Sequence, residues 1–385
     1  MKHILVTGAD GFLGRNLVAK LSMLNGVTVT ATDIQTPFED LRSALKHCDL
    51  IFHLAGCNRP ANPSEFRTTN RDFTFSLCDA LREMNRSPKI VFSSSIQAEL
   101  DNPYGVSKRQ AERALIQFGS DSGAVIRIFR LNNLYGKWSR PNYNSVVATF
   151  CHNIGNDLPI QISDPARTIE LSYVDDVVDA FLAEIPRTES ATAITSSTAS
   201  AIPAHCITLG ELALSIRAFR EMRDTLVVPN LSSTFQRRLY ATYLSYVPQL
   251  VMETRLLVRN DNRGSLAEFM KSESGGQIFL SRTLPGVVRG NHYHHTKTEK
   301  FFVVEGEGLL RMRHIGSEKV MEFHLRGRDY QVVDIPPGYT HSIENVGTGE
   351  MVTLFWSSEI FDPEKPDTYF LPVGVKTDSH FMETK

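Results

Sequence analysis

The first half of the chain alternates short hydrophobic runs with longer amphipathic segments. From Met1 to about Ile185, runs such as HILVTG, LIFHLAG and KIVFSSS are separated by segments of helix length, including Arg15–Leu24 and Pro103–Phe118. This alternation predicts βαβ units around a parallel sheet. The stretch rich in Ser, Thr, Ala and Pro that follows, Ser190–Gly210, is expected to be a loop, and Thr208–Arg223 a small helical cap.

Beyond about Gln249 the hydrophobic pattern changes. Short runs such as GGQIFLSRTLPG and DYQVVDIPPG are punctuated by glycine and show almost no helical periodicity through Trp356. Strands at this spacing predict a β-sandwich or barrel. We therefore predict an α/β domain with a Rossmann-like parallel sheet over residues 1–248, and an all-β domain over residues 249–385 with a frayed tail after Val375.

Composition narrows the functions to be considered. Lys and Arg number 41 against 43 Asp and Glu, so the net charge of −2 gives no positive excess for nucleic acid or an anionic membrane. The five cysteines are far apart and form no Cys-x-x-Cys pair, which fits a reducing cytoplasm. No signal peptide and no run of about 18 apolar residues is evident. We expect a cytoplasmic protein without nucleic-acid or membrane partners.

A glycine-rich turn follows the first predicted strand. Strand HILVT runs into Gly8-Ala9-Asp10-Gly11-Phe12-Leu13-Gly14 and then into a helix. Glycines there allow a tight turn and the approach of a phosphate to the helix N-terminus, which predicts a dinucleotide site; an ordinary tight turn is the alternative. Asp33 ends the next strand, where its carboxylate would accept the ribose hydroxyls and favour NADH over NADPH, or would simply be solvated.

A tyrosine and a lysine form the next candidate group. Tyr104 and Lys108 are four residues apart in a predicted helix, so they share one face. The Lys108 cation is expected to lower the pKa of Tyr104 from about 10 toward neutrality, which suits proton transfer at a carbonyl or alcohol oxygen. Ser93-Ser94-Ser95 end a preceding strand, where a hydroxyl can hydrogen-bond the reacting oxygen. The alternative is an exposed Tyr–Lys pair without a catalytic role.

Together these residues resemble the extended short-chain dehydrogenase/reductases, which act mostly on nucleotide-linked sugars. The matching motifs are Thr7-Gly8-x-x-Gly11-x-x-Gly14, His53-Leu54-Ala55-Gly56, Ser95, Tyr104 with Lys108, Arg130-x-x-Asn133-x-Tyr135-Gly136 and Tyr173-Val174-Asp175-Asp176. The resemblance implies that Ser95 polarises the substrate carbonyl, with Ser94 as the alternative. It implies that Tyr104 protonates that carbonyl and that Lys108 orients the nicotinamide ribose.

The same resemblance extends to residues that would hold the two ligands. The implied cofactor contacts are Thr7, Gly8, Asp10, Gly11, Phe12, Leu13, Gly14, Asp33, Leu54, Ala55 and Gly56. Asn133 is implied to approach the substrate near its diphosphate. The pattern departs from the family in one place, because only nine positions separate Ser95 from Tyr104 where most extended members insert a longer loop. An open sugar pocket is expected on that side.

Histidines are concentrated in the second half of the chain. Six of the twelve fall within residues 292–341. His292 and His294 alternate with period two, so in a strand both face the same side, and Glu299 can approach from the next turn or strand. His341 follows the turn sequence PPGYT and would come from a separate strand. Three imidazoles and a carboxylate suit zinc, iron, nickel or manganese, whereas a lone histidine would more often be structural.

These histidines also fit a family pattern. Gly286-x5-His292-x-His294-x4-Glu299-x6-Gly306 and Pro336-x-Gly338-x2-His341-x3-Asn345 resemble the two cupin motifs in order, except that Tyr330 occupies the place of the glycine that usually opens the second. The resemblance implies metal-ligand roles for His292, His294, Glu299 and His341. His295, His314 and His324 match no motif position and are expected at the rim.

Upstream segments resemble a second family with the same barrel. DNRGSLAE and VRGNH look like the opening strands of the sugar-nucleotide 4-ketose epimerases, which use a histidine as a base without a metal. The two resemblances therefore give His292 different roles. We favour the metal role, because His294 and Glu299 complete the ligand set. Lys300 and Tyr339 are the candidates for acid–base groups in this domain.

The order of motifs over nearly the whole chain, including DNPYG, NHYHHTK and PDTYFL, resembles the bifunctional capsular-polysaccharide synthesis enzymes. The resemblance implies that a UDP-linked 2-acetamido-2,6-dideoxy-4-hexulose is epimerised at C3, next to the ketone, in the cupin domain. Reduction at C4 in the first domain would then give UDP-2-acetamido-2,6-dideoxy-β-L-talose for N-acetyl-L-fucosamine in capsule or O-antigen. The implied cofactors are NADPH, which Asp33 questions in favour of NADH, and zinc. The implied assembly is a homodimer through the cupin domains.

Two other functions remain open at this stage. The cupin could be a non-catalytic sugar sensor or dimerisation module beside a simple NAD(P)H-dependent reductase. Alternatively, the whole chain could be a nucleotide-sensing regulator, although intact Ser95, Tyr104 and Lys108 argue against that.

Overall fold

The computed structural model describes residues 1–186, 195–197, 202–249 and 252–374. The chain divides into two compact units, the first formed by Met1–Arg217 with Ser232–Gln249 and the second by Ala218–Leu231 with the chain from Leu250 onward. The last stretch of the first unit ends at Gln249, one residue after the predicted boundary at 248/249. The prediction had no counterpart for Ala218–Leu231, which joins the second unit. The predicted frayed tail after Val375 lies outside the described residues.

The first unit contains nine described strands. They are β1 (Lys2–Thr7), β2 (Val27–Thr32), β3 (Leu50–His53), β4 (Lys89–Ser95), β5 (Ile126–Leu131), β6 (Asn133–Tyr135), β7 (Thr168–Tyr173), β8 (Thr195–Ser197) and β9 (Ala204–Thr208). Six of these strands form a parallel sheet in the order β2-β1-β3-β4-β5-β8. The strand order reverses between β1 and β3, and ligands of such sheets bind at the carboxyl ends beside that reversal.

Eight α-helices are described between Phe12 and Leu244. They are α1 (Phe12–Leu21), α2 (Phe38–Leu45), α3 (Phe73–Glu83), α4 (Pro103–Ser122), α5 (Val146–Gly155), α6 (Val174–Leu182), α7 (Leu209–Thr225) and α8 (Thr234–Leu244), with a π-helix over Phe66–Asp72 and a 3₁₀ turn over Ile96–Glu99. Successive strand residues enter opposite cores: Leu5 packs with residues of α2, α3 and α4, whereas Ile4 and Val6 pack with residues of α1 and α6. The β-branched runs are therefore hydrophobic throughout because both faces are buried.

The predicted loop Ser190–Gly210 is only partly described, and its described part corrects the prediction. Ala204–Thr208 forms β9 and pairs antiparallel with β7, and β8 pairs parallel with β5. The Thr208 hydroxyl accepts the N–H of Glu211, while the Glu211 carboxylate accepts the N–H of Thr208, so a capping box begins α7 where a helix was expected.

The second unit is all-β. Its strands are β10 (Val258–Asp261), β11 (Gly264–Ser272), β12 (Gly276–Thr283), β13 (Val288–Tyr293), β14 (Glu299–Glu305), β15 (Glu307–His314), β16 (Val320–Arg326), β17 (Val332–Ile335), β18 (Tyr339–Asn345), β19 (Met351–Ser357) and β20 (Tyr369–Phe370). They form two antiparallel sheets, β10-β11-β12-β19-β14-β17 and β16-β15-β18-β13-β20. The predicted fold class is confirmed, an α/β parallel-sheet domain followed by an antiparallel, cupin-like jelly roll.

Both sheets of the second unit contribute to one core. Phe301 and Phe355 come from one sheet, Leu310 and Ile343 from the other, and all four side chains are buried together. The segment that enters this unit early also pairs with it: the carbonyl oxygen of Leu226 accepts the N–H of Lys271 at 2.8 Å, and the N–H of Val228 donates to the Lys271 carbonyl at 2.7 Å. Among the described residues, no helix is both long and apolar enough to cross a membrane.

Candidate functional site

The glycine-rich turn lies between β1 and the N-terminus of α1. Gly8 has φ +68°, and a Cβ there would lie 2.7 Å from the backbone nitrogen of Ala55. A Cβ on Gly14 would lie 2.2 Å from the Gly8 carbonyl oxygen. Only glycine fits either position, so the backbone closes tightly at the reversal between β1 and β3. Helix α1 begins directly after this turn, and the N-terminus of a helix favours an anionic phosphate.

Two predicted cofactor residues, Thr7 and Ala55, are joined by hydrogen bonds next to this turn. The Ala55 N–H donates to the Thr7 hydroxyl at 3.3 Å, and that hydroxyl lies 2.8 Å from His53 Nδ1. The Thr74 hydroxyl donates to the carbonyl of Asn70 and lies 2.9 Å from His53 Nε2. His53 Nε2 therefore carries the proton, and Nδ1 accepts from Thr7. Burial lowers the pKa of His53 to about 3, which keeps the ring neutral.

Asp33 lies at the end of β2, as predicted, and is half-buried. Its carboxylate accepts the backbone N–H of Asp10 at 3.1 Å and the N–H of Ile34 at 2.6 Å. The Thr36 hydroxyl accepts the N–H of Asp33 at 2.9 Å. The carboxylate thus joins the glycine-rich turn to the end of β2, a role that the sequence did not indicate.

A cavity of 1280 Å³ opens at the carboxyl ends of the parallel strands. Among the predicted site residues, those that line it are Gly8, Asp10, Gly11, Phe12, Leu13, Gly14, Leu54, Gly56, Ser94, Ser95, Tyr104, Lys108 and Asn133. The glycine-rich turn and the Ser–Tyr–Lys group therefore share one cavity. Asn133 is exposed there, and its side-chain amide donates to the Glu170 carbonyl at 3.5 Å.

Tyr104 begins α4 beside the end of β4. Burial raises the pKa of Tyr104, and the hydrogen bond with the Ser95 side chain offsets only part of that rise. This corrects the expectation that Lys108 brings the phenol toward neutrality: its Nζ donates to the Ser93 carbonyl at 2.9 Å. The phenol is therefore held in its protonated form, and Ser95 is the serine hydrogen-bonded to it.

Lys108 and Ser94 belong to a buried polar network. Burial lowers the pKa of Lys108 to about 8, and the nearby Glu112 carboxylate opposes that shift. Glu112, 4% exposed, accepts the Ser94 hydroxyl and a bidentate pair from Arg130 at 2.9 and 2.6 Å. The network separates the two serine candidates, because the Ser94 hydroxyl is bound to Glu112 and the Ser95 hydroxyl to Tyr104.

The second unit gathers the four predicted metal ligands. One ligand atom from each of His292, His294, Glu299 and His341 lies within 4.8 Å of the others. A bulge between Gly290 and His292, where Asn291 has φ +60°, sets the direction of β13 before the two histidines. The Glu299 carboxylate lies 3.3 Å from His294 Nε2 and 3.2 Å from His341 Nε2.

The ring orientations fit a divalent metal. His294 Nδ1 lies 2.6 Å from the Asp367 carbonyl and His341 Nδ1 lies 3.2 Å from the Tyr339 carbonyl. Carbonyls only accept, so Nδ1 carries the proton in each ring and Nε2 presents a lone pair. Both Nε2 atoms are buried without a hydrogen-bond partner among the described residues. Two buried lone pairs beside a carboxylate are the donor set of a zinc-type site.

Electrostatics at this cluster point the same way. Burial and the neighbouring His341 lower the pKa of His292 to about 4, so its ring is neutral. Burial alone would raise the pKa of Glu299, but the adjoining His294 and His341 side chains outweigh burial and hold it well below its usual range. Neutral imidazoles and an ionised carboxylate are the protonation states that bind a metal.

One acid–base candidate in this unit is wrong. Neighbouring strand residues face opposite sides, and Lys300 is exposed, paired with Asp334, while Glu299 faces the cluster. Tyr339 shares the face of His341 and packs against the core, so it stays a candidate. His295, His314 and His324 are exposed. Tyr330 has φ +50°, the left-handed conformation that explains a glycine in the cupin motif.

The comparisons with known proteins cover both units. Residues 4–194 match the NAD dependent epimerase/dehydratase family, and residues 259–369 match the polysaccharide biosynthesis C-terminal domain. Over 371 residues the chain is 43% identical to the UDP-2-acetamido-2,6-beta-L-arabino-hexul-4-ose reductase of Pseudomonas aeruginosa, covering 96% of this chain and 99% of that protein. The chain belongs to the family of this reductase.

Solved structures agree with this family membership. The capsular polysaccharide assembling protein CapF from Staphylococcus aureus is 42% identical and superposes with a TM-score of 0.88, covering 96% of this chain and 99% of its own. The UDP-glucuronic acid 4-epimerase of Bacillus cereus in complex with NAD covers 65% of this chain and 97% of its own at 19% identity and a TM-score of 0.54, and so shares the fold alone.

Several residues of this reductase-family chain were not singled out from its sequence. Arg140 and Arg167 line the cavity but belong to no motif used in the prediction. Glu112 could have been found, because it lies one helical turn beyond Lys108. Asp367 lies within the PDTYFL segment, but nothing in that segment indicates a contact with His294, 73 residues earlier.

Proposed function

We propose that this chain is a bifunctional UDP-sugar enzyme. Its first unit would reduce the C4 ketone of a UDP-linked 2-acetamido-2,6-dideoxy-hexul-4-ose with NADPH or NADH. Its second unit would first epimerise that sugar at C3, so that the product is UDP-2-acetamido-2,6-dideoxy-β-L-talose. The observation that carries the proposal is the convergence of Ser95, Tyr104 and Lys108 on the cavity that also contains the glycine-rich turn.

Reduction needs a hydride and a proton. The nicotinamide supplies the hydride when bound, and the turn residues Gly8 to Gly14 would hold its diphosphate against α1. Tyr104 would donate its phenolic proton to the ketone oxygen, and its raised pKa keeps that proton available at neutral pH. Ser95, hydrogen-bonded to Tyr104, would donate to the same oxygen. Lys108, buried in the second turn of α4, would orient the cofactor ribose.

The substrate class is supported by the charge of the cavity. Arg140 and Arg167 line the cavity, and one guanidinium group can donate two parallel hydrogen bonds to the oxygens of a phosphate. Asn133 lies in the same wall and can hydrogen-bond a diphosphate or sugar. The reductase of Pseudomonas aeruginosa is named for UDP-2-acetamido-2,6-beta-L-arabino-hexul-4-ose, and its similarity covers 96% of this chain.

Epimerisation next to a ketone requires removal of an acidified C–H proton. A divalent metal, for which we propose zinc, would stabilise the negative charge that develops on the ketone oxygen. His292, His294, Glu299 and His341 would hold that metal. Tyr339 shares the face of His341, which makes it our candidate for proton transfer. The proposal includes a homodimer through the second units, which rests on the resemblance to the bifunctional capsular-polysaccharide synthesis enzymes alone.

One isotope experiment tests both halves. The UDP-linked 4-keto sugar is incubated with the protein in D₂O, with and without NADPH or NADH, and products are read by NMR. We expect deuterium beside the ketone without any nicotinamide, and a reduced sugar once nicotinamide is added. Tyr104→Phe should lose reduction and keep exchange, whereas His341→Ala should lose exchange.

The contrary results are equally specific. Reduction without exchange would make the second unit a binding or pairing module, as in the alternative considered from the sequence. Loss of exchange in a folded Tyr104→Phe protein would contradict the assignment of the two steps to separate sites.

A further inference from the structure

The C-terminal segment Pro366–Val373, which we call the strap, runs along β13 and the turn after it. The Asp367 carboxylate accepts three backbone N–H groups of that turn, from His295 at 2.9 Å, Thr296 at 3.0 Å and Lys297 at 2.9 Å. The Thr296 hydroxyl adds a fourth bond at 3.1 Å. One side chain therefore fixes the whole turn that joins β13 to β14.

The backbone of Asp367 reaches the metal cluster itself. Its carbonyl oxygen lies 2.6 Å from His294 Nδ1 and accepts the proton there. His294 is 1% exposed, so no solvent replaces that acceptor. The bond leaves the lone pair on Nε2, which is buried, unpartnered among the described residues and 3.3 Å from the Glu299 carboxylate. The tautomer and orientation of His294 thus depend on a residue 73 positions away.

The conformation of Asp367 is unusual for a residue with a side chain. Its φ is +38°, the left-handed region that most side chains avoid. Contacts on both sides hold it there: Lys297 Nζ donates to the Pro366 carbonyl at 2.9 Å and to the Thr368 hydroxyl at 3.2 Å. A strained backbone that is fixed from several sides is typical of functional sites.

We propose that Asp367 is a positioning residue of the metal centre, and that docking of the strap and binding of the metal stabilise each other. This inference rests on the metal site of the proposed function. The strap holds His294 in its ligating form, so a docked strap raises metal affinity. By thermodynamic reciprocity, a bound metal must raise the stability of the docked strap by the same factor.

Zinc affinity, measured on the full chain by competition with a chromogenic chelator, tests the first half. Asp367→Gly tolerates the positive φ and keeps the carbonyl but removes the carboxylate, and Asp367→Asn keeps one acceptor oxygen. We expect Asp367→Gly to weaken zinc binding about 10- to 100-fold, as loss of a supporting residue usually does, with Asp367→Asn between that value and the parent. Glu359→Gln is the matched control, because exposed Glu359 bonds the Thr296 hydroxyl at 3.1 Å. It should stay within about twofold of the parent.

Hydrogen exchange of the strap tests the second half. The N–H groups of Leu371 and Val373 donate to the backbone carbonyl and side chain of Asn291, at 2.8 and 3.2 Å, and report docking. We expect both to exchange more slowly with zinc than without it, and Asp367→Gly to reduce that difference. Cobalt absorption bands provide a further check on the ligand geometry of each variant.

Three results would overturn the inference. Asp367→Gly could bind zinc as tightly as the parent, Glu359→Gln could lose as much affinity as Asp367→Gly, or strap exchange could be indifferent to zinc. Should Asp367→Gly fail to fold, Asp367→Asn decides by the same criterion. A parent protein that binds no zinc would refute the metal site of the proposed function as well, so the two failures are distinguishable.

Discussion

Glu112 offers a direct test of the buried network around Lys108 in the proposed reductase site. Glu112→Gln removes one negative charge while keeping the size of the side chain. Burial lowers the pKa of Lys108 to about 8, and the Glu112 carboxylate opposes that shift. Without the carboxylate, burial acts unopposed against the ammonium form. The pKa of Lys108 must therefore fall further.

The size of the effect follows from the helix geometry. Residues four apart in a helix have Cβ atoms about 6 Å apart, and unit charges at that distance interact by about 2.8 kcal/mol at an effective dielectric constant of about 20. The Arg130 pair cancels part of this interaction. We expect the pKa of Lys108 to fall by about one pH unit, equivalent to about 1.4 kcal/mol.

The assay is kcat/KM for ketone reduction between about pH 6 and about pH 10, because this parameter reports groups of the free enzyme. Lys108 is charged below its pKa, so activity should decline as pH rises through about 8 in the parent, and about one unit lower in Glu112→Gln. Glu99→Gln is the control, since Glu99 bonds Arg130 at 3.0 Å from a 68% exposed position. An unshifted alkaline limb in folded Glu112→Gln, or an equal shift in Glu99→Gln, would refute the reasoning.

Three further predictions concern the turn, the cupin motif and the metal. Gly8→Ala should lose cofactor binding and lower the free energy of unfolding by about 3 kcal/mol, because its Cβ meets the Ala55 backbone. Gly26→Ala, with φ +79° and open space, should lower it by about 1 kcal/mol and keep cofactor binding. Chemical denaturation measures the stability of each variant, and cofactor titration measures its binding. Tyr330→Gly should stabilise the second unit by up to about 1 kcal/mol, because glycine adopts φ +50° without strain and Tyr330 is exposed. A lower midpoint in chemical denaturation would contradict this. Chelating the metal should lower the unfolding temperature of the second unit in calorimetry and leave that of His341→Ala unchanged. The loss in unfolding free energy should be about 4 kcal/mol if the metal stood at about a thousand times its Kd.

Much of the fold follows from local pattern. Leu5 enters one core while Ile4 and Val6 enter the other, and such doubly buried strands produce the continuous hydrophobic runs that predicted a parallel sheet. Ala204–Thr208 lies in a stretch rich in Ser, Thr, Ala and Pro that predicts a loop, and Ile207 is its only buried residue. Its strand conformation comes from pairing with β7, a neighbour that local composition does not reveal.

Some features of the candidate sites could be predicted from the sequence and others could not. Glycine positions and the histidine–glutamate set were predictable, because tight turns and metal ligands restrict residue type at fixed spacing. The raised pKa of Tyr104 could not be predicted, because the four-residue spacing indicates that Lys108 is near but does not indicate that Tyr104 is buried. Lys300 could have been excluded, because strand alternation sends it away from its neighbour Glu299.

The early excursion of the chain into the second unit limits how this protein can be divided or recombined. A gene fragment that begins at residue 250 would lack Leu226 and Val228, and so would leave both backbone groups of Lys271 without their partners. Exchange of the second unit between homologues at a single crossover would likewise join Ala218–Leu231 from one parent to a β-domain from the other. A chimera that preserves the native pairing needs three junctions, one on each side of this insertion and one near residue 250.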